Sequence, residues 1–114
     1  MAKYKTKDGI AIFPEGITKI EDQAFEDYVE LKSVTIPDSV TEIGWRAFND
    51  CIGLTEIVIP NSVKWIEDGA FKGCDNLTTI TIPDSVIEIG LDAFKNTGWY
   101  NNQADGILYL GDCC

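Results

Sequence analysis

The side chains that carry chemistry are unevenly supplied in this chain. It holds 19 carboxylates, four cysteines and three tryptophans, and no histidine. Without an imidazole, histidine-based triads, histidine zinc sites and imidazole acid–base work are excluded. No Cys-x-x-Cys pair, phosphate-binding loop or dinucleotide glycine pattern occurs. So many carboxylates bring some pair together by chance. A glycosidase-like pair, however, needs a cleft and two unlike environments, and nothing singles one out. Glu15, Asp38, Asn61 and Asp84 recur at one spacing and form a column that could hold a cation. Each also opens a turn, where a short acceptor side chain serves as a cap. Asn76-Leu77-Thr78 matches a glycosylation sequon, but Leu77 belongs to the apolar pattern and the match reads as accidental. Catalysis is not expected. Cofactors and metals are not called for.

What remains is recognition, and the elements that would position it are periodic. Prolines fall at 14, 37, 60 and 83, and Ala-Phe pairs at 24–25, 47–48, 70–71 and 93–94, a repeat of 23 residues. Ile17, Val40, Val63 and Val86 keep step, as do Ile20, Ile43, Ile66 and Ile89. A fixed period of this length marks a solenoid, whose units bury their apolar faces only by stacking. Within a unit, Leu54-x-x-Ile57-x-Ile59 and its counterparts end in the two-residue alternation of a strand. Proline then stops the strand, and Asp38-Ser39, Asn61-Ser62 and Asp84-Ser85 supply turns. Ile43-x-x-x-Ala47-Phe48 switches to helical spacing, so Gly44 to Asn49 is expected as a short helical turn.

That pattern, Cys/Asn-x-x-Leu-x-x-Ile-x-Ile-Pro-x-Ser-Val-x-x-Ile-x-x-x-Ala-Phe, resembles the BspA-type, or Treponema-type, leucine-rich repeat over residues 12–103. Thr97-Gly98-Trp99-Tyr100 followed by Asp105-Gly106-Ile107-Leu108-Tyr109 is similar to that family's C-terminal ending. The resemblance implies an arc-shaped, non-catalytic ligand-binding scaffold, whose members are often bacterial or protozoan surface proteins in adhesion or host contact. The expected fold is therefore an α/β repeat, a leucine-rich-repeat solenoid. It has one short strand and one short helical turn per repeat, in about four repeats plus end caps. A single domain spans 1–114, with an N-terminal cap at 1–11, repeats at 12–96 and a C-terminal cap at 97–114 that includes a last strand, Ile107–Leu110.

In a solenoid, recognition falls to the columns that vary while packing columns stay fixed. Two surfaces qualify. Ser33/Glu56/Thr79 and Thr35/Val58/Thr81 point outward from neighbouring strands as a flat strip on the inner face of the arc. With strands about 4.8 Å apart, the strip is expected to be nearly continuous. The second surface is a flank with large apolar residues where water-facing ones would serve. Trp65 stands in the column of Lys19, Glu42 and Glu88, and Trp45 in that of Asp22, Asp68 and Leu91, so the two indoles are expected side by side with Leu91 and Ile87 near them. Threonine for strand propensity, and indoles folded back over gaps, are the structural alternatives.

Net charge is −10 even though Lys3, Lys5 and Lys7 make the first seven residues basic. Such a surface repels phosphate backbones, favours a partner with a basic face and disfavours direct nucleic-acid binding. No apolar run reaches the roughly 18 residues of a spanning helix, and no export signal is read at the start. As written the chain is expected in the cytoplasm and off the membrane; as a fragment of a longer adhesin it would be extracellular or at the cell surface. Cys51 and Cys74 share a column with Tyr28 and Thr97 and read as buried thiols, whereas Cys113-Cys114 offers a route to a dimer. The leading expectation is a protein–protein interaction module. The rivals are a small acidic inhibitor that imitates nucleic acid and blocks a basic channel, and an adhesin fragment or engineered repeat scaffold.

Overall fold

The computed structural model describes residues 4–101. The chain begins with an antiparallel hairpin, β1 (Lys5–Lys7) and β2 (Ile10–Ile12), turned at Asp8-Gly9 where both residues have positive φ. Two stacks of short parallel strands follow. One is a four-stranded sheet of β3 (Lys19–Ile20), β4 (Glu42–Ile43), β6 (Trp65–Ile66) and β8 (Glu88–Ile89), ordered β3-β4-β6-β8. The other pairs β5 (Glu56–Val58) with β7 (Thr79–Thr81), and at the N-terminal end a single bridge joins Ile10 to Ser33. A one-turn helix, α1 (Gly98–Asn101), closes the described chain. The expected strand Ile107–Leu110, the rest of the 97–114 segment and Cys113-Cys114 lie outside the described residues.

Every coil repeats one path. Proline opens a turn closed by Val40 N–H to Pro37 O, Val63 to Pro60 and Val86 to Pro83. The next strand contributes Ile20, Ile43, Ile66 or Ile89 to the interior. An arm of turns then carries Ala and Phe back across the core. The phenylalanines form a ring column: centroids of Phe25, Phe48, Phe71 and Phe94 are successively 5.5, 5.1 and 5.3 Å apart, with planes within 10° of parallel. Tyr4 and Phe13 cover one end of the column and Trp99 meets the other edge-on at 5.9 Å.

The arm expected as a helical turn holds its i→i−3 bonds but not a helix. Ala47, Asn49 and Cys51 N–H donate to Gly44, Arg46 and Phe48 O within the coil. The alternate donors Arg46, Phe48 and Asp50 instead reach Asp68, Ala70 and Lys72 O in the next coil at 2.7–3.0 Å. Left-handed φ at Arg46 (54°) and Asp50 (61°) turns every second N–H outward in this way. A helix would direct all of them along its own axis. The arm thereby satisfies its donors and couples neighbouring coils through the backbone as well as the core.

Coils also alternate in pairs. Asp22 Oδ1 accepts from Trp45 N–H at 3.1 Å, and Asp68 Oδ1 accepts from Leu91 N–H at 2.8 Å. At Gly44 and Gly90 an added Cβ would strike the backbone of Asp22 and Asp68. Glu21-Asp22 and Glu67-Asp68 thus face Gly44-Trp45 and Gly90-Leu91, a two-coil repeat laid over the single one.

Candidate partner-binding surfaces

On the β5–β7 face the side chains divide cleanly. Ile57 and Ile59 are buried at 1% and 2%, while Val58 between them is 53% exposed beside Glu56, Thr79 and Thr81. Register places Glu56 beside Thr79 and Val58 beside Thr81. Ser33 and Thr35 are exposed on the same face. The strip is not continuous, however. Ser33 N–H bonds back to Gly9 O, and no backbone hydrogen bond joins 32–36 to 55–59 among the described residues. A groove of about 1140 Å³ opens there, lined by Ser33, Thr35, Glu56, Val58 and Thr81, but not by Thr79. Parallel pairing is thus lost at this step of the face while the arms and the β4–β6 pair hold the same two coils together on their other sides. Ser62, also on the lining, has a buried hydroxyl oxygen without a partner among the described residues, whereas Ser85 in its column donates to Val63 O at 3.1 Å.

The second surface separates into two parts. Trp45, 41% exposed, and Leu91, 76% exposed, line one groove of about 590 Å³ together with Arg46, Glu67 and Lys72. Trp65 is not part of it. Its place is in β6, in register with Glu42 of β4 and Glu88 of β8, with its residue 40% exposed. Trp45 lies at the start of the arm, two residues past the strand end at Ile43, whereas Trp65 lies within β6 itself. Ile87 is exposed next to Glu88 and does not join the Trp45 groove.

Electrostatics on this flank is dominated by carboxylates. Lys19 pairs with Asp22 at 3.4 Å and Glu42 at 3.8 Å, and burial opposing these partners still leaves its ammonium above the usual lysine range. A hydrogen bond shared with Glu42, with burial, holds the Glu67 carboxyl above the ordinary carboxylate range. The guanidinium of Arg46 lies 6.0 Å from the Trp45 ring centroid and 3.6 Å from Glu26.

The buried thiols serve packing. Cys51 Sγ–H donates to Phe25 O at 3.1 Å and Cys74 Sγ–H to Phe48 O at 2.9 Å, both in the preceding coil. The neighbouring Cys74 thiol, with burial, pushes the Cys51 thiol far up. Such a group is no nucleophile. Thr97 takes the same column with a hydroxyl that accepts from Tyr100 N–H and donates to Phe94 O. Asp38, Asn61 and Asp84 stand second in the proline turns, exposed. No helix among the described residues is long and apolar enough to cross a membrane.

A parallel solenoid of 23-residue coils with outward-facing variable columns defines a leucine-rich-repeat protein. The chain belongs to the BspA type leucine-rich repeat region family (6 copies), which matches residues 4–104. It is similar to a leucine-rich repeat protein from Bacteroides ovatus ATCC 8483, at 34% identity and TM-score 0.68, over 69% of this chain and 21% of that one. Another from Bacteroides capillosus ATCC 29799 matches at 31% identity and TM-score 0.73, over 82% and 74%. The Treponema pallidum leucine-rich repeat protein matches at 25% identity and TM-score 0.53, over 74% and 50%. The chain therefore spans about a fifth of the Bacteroides ovatus protein's length. No curated protein matches significantly. Membership in this repeat family points to a protein-interaction or adhesion-type module.

Proposed function

We infer that the chain is a non-catalytic module that binds another protein through the β5–β7 groove and the tryptophan-bearing flank. One observation carries this reading. Val58, 53% exposed, presents an apolar side chain at a groove between two isoleucines that are fully occupied in the core. Packing does not need Val58 there. Hydroxyls from Ser33, Thr35 and Thr81 surround it, and this mixture of an apolar centre with a polar rim suits a protein partner. Where the chain is part of a longer surface protein, the same face meets partners outside the cell.

The test is capture of a partner on immobilised protein, comparing wild type with Val58→Lys and with Asp75→Asn. Both variants raise the charge by one, and Asp75 lies in the turn after the arm, outside the groove. Loss with Val58→Lys alone supports the groove. Equal behaviour of the two variants removes it.

A further inference from the structure

The outer column of the β3-β4-β6-β8 sheet runs Lys19, Glu42, Trp65, Glu88, each in register with the next. Parallel neighbours stand about 4.8 Å apart, so the Trp65 indole rises between two carboxylates. At one end of the column the chain supplies its own cation: Lys19 reaches Glu42 and Asp22. On the far side of Trp65, among the described residues, it supplies none to Glu88. Among the described residues no cation pairs with Glu67 or Glu88, and the ring–cation contact found is at Trp45. There, Arg46 lies over an indole while paired with Glu26. The chain thus builds an arginine–indole–carboxylate group at Trp45 and, one coil on, presents the indole and carboxylates without the arginine.

We propose that this column takes an arginine side chain of a protein partner, laid over the Trp65 indole between Glu42 and Glu88. A guanidinium fits because its plane stacks on an aromatic face while its edge hydrogen-bonds carboxylates, which an ammonium does less well. Charge complementarity favours it too, since the chain carries −10 overall. Glu42 and burial together hold the Glu67 carboxyl above its ordinary range, and an incoming cation lowers the cost of crowding these carboxyl groups. The inference rests on the protein-binding reading and names what the flank recognises.

The experiment is an NMR titration of the full chain with the peptide acetyl-Gly-Arg-Gly-Arg-Gly-amide and with its citrulline counterpart, which keeps the shape and loses the charge. Trp65 Nε1–H is assigned with Trp65→Phe. The expected result is a larger shift at Trp65 than at Trp45 or Trp99, with arginine binding at least about fivefold tighter than citrulline. Glu42→Gln with Glu88→Gln removes that preference. Equal response to both peptides, or shifts spread evenly over the acidic surface, overturns the proposal. A silent Trp65 with responding Val58 methyls also overturns it, yet leaves the groove reading standing.

Discussion

The ring of Phe48 lies 5.1 Å from that of Phe71 with the planes 7° apart, and each ring is fully buried by the coil on either side. Neither coil could bury its ring alone. Phe71→Ala is therefore expected to cost about 3–5 kcal/mol, read as a fall in the urea midpoint, because the stacked neighbours cannot collapse into the gap. Full stability in that variant would mean that the coils do not share a core.

The paired-coil contact makes a second prediction. A methyl at Gly44 would meet Ile20 O at the end of β3 and Asp22 N in the turn that follows it, both backbone atoms. Gly44→Ala should cost about 1–3 kcal/mol, from overpacking at a rigid contact. Asp68→Ala, which strips the acceptor from Leu91 N–H, should cost about 1 kcal/mol. Both are checked by denaturant unfolding.

Cys51 predicts a pH dependence. Its thiol donates to Phe25 O and is held protonated by Cys74 and by burial, so its folded value lies above that of the unfolded chain. A raised acid contributes stability that is complete below the unfolded value and is lost as pH rises above it. From about pH 8.5 the unfolded state gives up this proton and the folded state does not, so stability falls by about 1.4 kcal/mol per pH unit from this group. Cys51→Ala should flatten that slope, measured as urea midpoints between pH 8 and 10.

Much of this was legible in the residues. Pro37, Val40, Ile43 and Phe48 each recur at one interval, and a period fixes stacking without any knowledge of distance. Spacing misled at Gly44 to Asn49, where helical periodicity was real but left-handed φ at Arg46 and Asp50 redirected alternate donors. Such φ values on an arginine leave no mark in composition. The split beside Ser33 was equally invisible, since its side chains follow the same alternation as those of the paired strands. The Glu-Asp and Gly-Trp alternation could have been found by comparing coils two apart, which reveals Glu21-Asp22 with Glu67-Asp68 and Gly44 with Gly90. On the flank the columns were legible, since Trp65 stands in register with Glu42 and Glu88, whereas the groove that gathers Trp45 with Leu91 depends on the path of the arm past the strand end.

The account holds that exposed columns are spare to the core and so available for recognition. Urea unfolding of Val58→Lys with Trp65→Ala tests it most directly, against Phe71→Ala as the reference for a lost core contact. The double variant should stay within about 1.5 kcal/mol of wild type, as surface changes do. A loss as large as that of Phe71→Ala would assign both side chains to the interior and contradict the account.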